Sequence, residues 1–140
     1  MSKVLIPLDG SANADRALSQ WLSGQTDKTA LDVHLLSVQL PVDGNVRTFV
    51  DSDELQDYRR EEGMSAMAQG RKLLDDAGVA YQHHILVGHP ADVIVRYASE
   101  LGVDEIVMGT HGRTGLLQLL MGSVASEVSE KAKAKVTLIK

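Results

Sequence analysis

EIVMGTHGRTGLLQLLMGS, Glu105 to Ser123, runs from a short apolar stretch into a helical pattern across a glycine-bearing loop. Glu105 to Met108 read as a buried strand, and Val124, Ala125, Val128 and Ala132 recur at helical spacing beyond the loop. Between them stand Gly109, Gly112, Gly122 and Ser123. A glycine loop that leads from a strand end to a helix start offers unpaired backbone N–H groups and the positive end of a helix dipole. The natural guest of such a loop is an anion.

Outward from this stretch the chain alternates. Val4 to Leu8 is a near-continuous apolar run ending at Asp9 and Gly10, the pattern of a central parallel strand buried on both faces. Ala14, Ala17, Leu18, Trp21 and Leu22 keep helical spacing up to Gly24, and Val33, Leu35, Leu36 and Val38 form a second strand. Gln39 to Asp51, with Pro41, Gly44 and Asn45, reads as a surface connection. Asp51 and Glu54 have capping-box spacing and open a long helix ended by Gly78, although Gly63 and Gly70 each cost about 1 kcal/mol in a helix interior.

Val79, Tyr81, Ile85 and Val87 lie on one face of a third strand, with Gln82 and His84 on the other, which suits a sheet edge. Pro90 opens a helix that Gly102 closes, and Val136 to Ile139 make a fifth strand. This alternation predicts an α/β fold: a doubly wound, five-stranded parallel sheet in the order 3-2-1-4-5 with helices on both faces. Ligands of such sheets bind outside the carboxyl ends of the strands, where the winding reverses. Asp9 and Gly109, a hundred residues apart, then face one crevice.

Composition bounds what the crevice can be. A chain of 140 residues with 44% hydrophobic content predicts one domain over residues 1–140. The net charge of −5 argues against a general nucleic-acid surface, so any nucleotide is bound locally. The absence of cysteine excludes thiolate metal sites and thiol nucleophiles. No membrane-length apolar run and no leader-like start occur, so a cytoplasmic location without membrane contact is expected.

Within the loop, Gly109 permits a tight departure from the strand, while Gly112 and Gly122 let backbone approach phosphate oxygens. Ser123 is read as the helix N-cap and as a hydroxyl donor to an anion. Asp9 accepts hydrogen bonds, which suits a ribose hydroxyl or a base amino group better than a phosphate. Together these groups describe a nucleotide.

The spacing Gly109-x2-Gly112-x9-Gly122-Ser123 resembles the ATP-binding motif of the universal stress protein family, and VLIPLDGS near the start resembles its first strand and turn. The likeness runs from Val4 to Ile139. It implies Pro7 and Asp9 against the adenosine, Val38 and Met108 beside the base, and Gly109, His111, Gly112, Gly122, Ser123 and Val124 around ribose and phosphates. It further implies ATP, with or without Mg2+, a homodimer paired through the fifth strand, and a regulatory role in stress. Where many members carry a Cys-Pro sequence before the last strand, this chain reads KAKAKVTLIK. Lysine on an edge strand opposes pairing, whereas Val136 and Leu138 keep one face apolar.

No P-loop lysine pattern occurs and no oriented general base can be named, so no catalytic residue and no metal ligand are assigned. The alternative is a slow ATPase or autokinase in the same pocket. A flavin-binding relative of this fold would carry its phosphate loop after strand one, where DGSANADRA has a single glycine. His83 and His84 point to opposite strand faces and are read as structural, and His34 as a hydrogen-bonded interior residue. Arg113 is read as solvated, and Leu116 to Met121 as a flap or subunit contact.

Overall fold

The computed structural model describes residues 2–41, 52–110 and 115–139. Strands β1 (Ser2–Pro7), β2 (Leu31–Gln39), β3 (Tyr81–Val87), β4 (Glu105–Gly109) and β5 (Lys135–Ile139) form one sheet in the order β3-β2-β1-β4-β5. Every pairing is parallel. Helices α1 (Ala12–Ser23), α2 (Ser52–Asp76), α3 (Pro90–Leu101) and α4 (Gly115–Lys131) make the crossovers, with a 3-10 turn at Lys28–Ala30. Among the described residues no helix is long and apolar enough to cross a membrane.

Strand β1 sits at the centre, so Val4, Leu5 and Ile6 are 1%, 0% and 1% exposed. Their side chains alternate between two cores. Val4 and Ile6 join Leu35 and Val107 beneath Leu18 and Trp21 of α1 and Met67 and Leu74 of α2. Leu5 joins Leu36 and Ile106 beneath Ile94 and Ala98 of α3 and Ala125 and Val128 of α4. The double winding read from the sequence is therefore present, with two helices on each face.

Local signals act as expected at most helix ends. The Ser11 hydroxyl caps α1 by accepting from the Ala14 N–H at 3.1 Å. Pro90 stands at the first turn of α3, and Gly102 ends it with φ 68°, a left-handed conformation that glycine adopts without strain. The exception is α4. It begins at Gly115, so Ser123 lies inside the helix and is not its N-cap, and Gly122 falls within it as well. Leu116 to Met121 are strong helix formers without proline, and their summed propensity outweighs a glycine read as a start signal.

The two glycines that weaken α2 on propensity stand where the helix packs closest. A Cβ on Gly63 would meet Ile85 Cδ1 and Cγ1 at 2.7 Å, and one on Gly70 would meet Leu8 Cδ1 at 2.5 Å. Seven residues apart, they let one face of α2 approach the sheet.

Beneath α3 a polar chain replaces apolar packing at the sheet edge. The Tyr97 hydroxyl lies 2.9 Å from His84 Nδ1, and His84 Nε2 lies 3.0 Å from His34 Nδ1. His34 is 4% exposed. Asp32 Oδ1 sits 3.2 Å from His34 Nε2, off the line of a good hydrogen bond, so that contact is electrostatic. The carboxylate favours a proton on His34 Nε2. His34 Nδ1 then accepts from His84 Nε2–H, and His84 Nδ1 accepts from Tyr97. His83 is on the other face, as expected, while His84 and His34 prove to be one structural unit.

Burial first, then the neighbouring His34 and His83, hold the His84 imidazole below its ordinary value of 6.5. An unfolded chain takes up this proton near that value and the folded chain resists it. The stabilisation is present above about pH 6.5 and is lost as pH falls through the lower folded value. Thermal melts from about pH 7.5 to about pH 5 are expected to show a falling Tm, with a smaller fall in His84→Gln. Equal slopes for the two proteins would remove His84 from the account. For Gly63→Ala the expected result is a loss of about 1 kcal/mol in denaturant unfolding, where an exposed helical glycine would show a gain of similar size.

Candidate functional site

The carboxyl ends of β1, β2 and β4 open onto one cavity of about 690 Å3. Its position follows from strand order. With β1 paired to both β2 and β4, the chain leaves β1 and β4 in opposite directions, and the crossovers cannot close over the space between them. Pro7, Leu8 and Asp9 enter from the end of β1, Ser37, Val38 and Gln39 from β2, and Met108 and Gly109 from β4. Ser123 and Val124 of α4, Pro90 and Ile94 of α3, Tyr58, Glu62 and Ala66 of α2, and Leu40 and Pro41 beyond β2 add to the wall.

Asp9 is held by its own turn. Its Oδ1 accepts from the Ser11 N–H at 3.0 Å, and Gly10 has φ 82°, which lets the chain reverse into α1. Burial, then the nearby Asp9 charge, raise the carboxyl of Asp15 above its usual 3.8. The Asp9 carboxylate suits hydroxyl or amino donors better than phosphate.

Gly109 serves close packing and not the turn expected of it. It has no positive φ. A Cβ there would stand 3.2 Å from the Asn13 carbonyl oxygen and 3.5 Å from Ala17 Cβ, so α1 packs its first turns directly on the end of β4. That approach brings the amino end of α1 and the end of β4 to the same rim.

Leu36, Val38, Ile94 and Met108 give the cavity an apolar floor, and the charged side chains among its described residues are Asp9 and Glu62. No lysine or arginine is among them. Such a floor suits a flat ring, and the acidic groups suit donors on it or on a sugar.

Of the residues singled out by sequence, Pro7, Asp9, Val38, Met108, Gly109, Ser123 and Val124 meet at this one cavity. His111, Gly112 and Arg113 lie outside the described residues, and of Gly122 only its place within α4 is described. The side chains of Leu116 to Met121, read as a flap or subunit contact, are likewise outside the description. Sequence reading missed Ser37, Gln39, Tyr58, Glu62, Pro90 and Ile94. The first two stand at a strand end, where a ligand site is expected. Tyr58, Glu62 and Ala66 repeat every four residues along one face of α2, a spacing that merges with its core stripe.

A model of the universal stress protein family matches residues 1–140. The chain is 32% identical to universal stress protein MJ0577 of Methanocaldococcus jannaschii, over 99% of this chain and 94% of that protein. A solved structure of protein MJ0577 superposes with a TM-score of 0.82 at 36% identity, covering 99% of this chain and 95% of the other. The universal stress protein of Archaeoglobus fulgidus, solved in complex with dAMP, superposes with a TM-score of 0.59 at 26% identity, covering 100% of this chain and 98% of that one. A family model that spans the whole chain, with whole-length agreement in sequence and fold, has one meaning: the chain belongs to the universal stress protein family.

Proposed function

We propose that the cavity binds an adenine nucleotide, ATP by preference and with or without Mg2+, and that its occupancy tunes a cytoplasmic homodimer serving a stress response. The observation that carries this reading is the meeting of Asp9 with Gly109 and Ser123 at one cavity whose floor includes Val38 and Met108. Its volume of about 690 Å3 lies within the roughly 300–1,000 Å3 of small-molecule sites. The dAMP complex of the Archaeoglobus fulgidus relative supports an adenine nucleotide in particular. The stress role is supported by family membership alone.

In this reading Asp9 accepts from ribose hydroxyls, Pro7, Val38 and Met108 pack on the adenosine, and Ser123 donates to phosphate. Val124 lies beside it. His111, Gly112 and Gly122 are assigned to ribose and phosphates from the family resemblance of the loop that carries them. A bound Mg2+ would offset phosphate charge, which no described lysine or arginine of the wall does.

The dimer is assigned to β5, an open edge of the sheet. Leu138 is 43% exposed there, an apolar group that a second β5 would cover.

Titration calorimetry of the purified protein is expected to show ATP binding, weakened about tenfold in Asp9→Ala by the lost hydrogen bonds. No binding at about millimolar ATP, a concentration worth only about 4 kcal/mol, sinks the nucleotide reading. Light scattering after gel filtration is expected to give a dimer whose population shifts with ATP and a monomer for Leu138→Asp. A dimer untouched by that substitution removes β5 from the interface.

A further inference from the structure

Four large hydrophobic side chains are exposed among the described residues: Leu40, Tyr58, Val87 and Leu138. The two most exposed, Leu40 at 64% and Tyr58 at 56%, both line the nucleotide cavity, one from the end of β2 and one from α2. Apolar surface left open at a cavity mouth is stabilised by whatever flat apolar group covers it. One helical turn beyond Tyr58 on the same face of α2 stands Glu62, which also lines the cavity. None of the ion pairs among the described residues takes up its carboxylate.

Charge then fixes which end of a nucleotide meets this wall. In the nucleotide reading above Ser123 takes the phosphate and Asp9 the ribose, and a second carboxylate repels phosphate, so the neutral base turns toward Tyr58 and Glu62. An ionised carboxylate only accepts hydrogen bonds. Once adenine is joined to its sugar, the strong donors left on the ring are the two hydrogens of the 6-amino group. We propose that Glu62 is the base-selecting residue of this protein: its carboxylate accepts a hydrogen bond from the adenine 6-amino group while the ring covers Tyr58 and Leu40. This assignment rests on the nucleotide reading above and adds to it a specificity element on α2.

The test is a two-by-two calorimetric comparison on the full chain, wild type and Glu62→Ala, each titrated with ATP and with purine riboside 5′-triphosphate, which differs from ATP by hydrogen in place of the 6-amino group. Wild type is expected to bind ATP about tenfold more tightly than the amino-free analogue, as for a hydrogen bond to a charged acceptor. Glu62→Ala is expected to lose about that factor for ATP and to bind both ligands alike. Equal affinities in the wild type, or discrimination that survives Glu62→Ala, overturn the assignment while ATP binding itself stands. No ATP binding by the wild type overturns both readings. Glu62 is exposed, so the variant is expected to melt as the wild type does, and the loss of amino-group discrimination is not an effect that general destabilisation produces.

Discussion

Everything in this molecule depends on β1 pairing on both sides. A strand hydrogen-bonded to β2 and to β4, with Val4, Leu5 and Ile6 almost fully buried, must be covered by helices on both faces. Parallel pairing obliges each crossover to return to the same end of the sheet, so all five strands point their carboxyl ends one way. The consequence is a rim where Asp9 meets Met108 and Gly109 across a hundred residues of sequence. Without the central strand the two halves of the site share no wall.

Close approach of helices to the sheet is the second condition, and it is met by missing side chains. Gly63 admits Ile85 and Gly109 admits the first turns of α1. Each costs backbone entropy, which the packing it permits offsets. These positions show why a glycine at a strand end is ambiguous in a sequence. Gly109 lies against α1 at the end of β4 and lines the cavity at once, so close packing and the shape of the cavity fall on the same residue.

The fold was legible because its signals are periodic and redundant. Five apolar runs, the stripes between them, Pro90 and Gly102 all agree, and strand order follows from few alternatives. The convergence of the strand ends on one cavity was legible for the same reason. Ser123 was misread as a cap because one local signal was set against six residues of helical propensity. Tyr58 and Glu62 were missed because α2 presents adjacent faces to the core and to the cavity, and a sequence stripe does not show where one ends. His34 and His84 stand fifty residues apart, and no pattern in either strand couples them.

That histidine pair also solves a problem of alignment. Strand β3 is an edge strand whose residues are mostly half-exposed, so apolar burial holds it weakly. Its alternation forbids a slip of one residue, which would turn Tyr81 and Ile85 away from α2, but a slip of two preserves every facing direction. A directional contact distinguishes the two. His84 Nε2 reaches His34 Nδ1 at 3.0 Å with Leu36 opposite His84, and Tyr97 holds the other ring nitrogen from the helix above, a contact that a slip of two in either direction breaks. The polar chain serves as a vernier for the sheet edge, setting by whole residues what the hydrophobic pattern sets only by pairs.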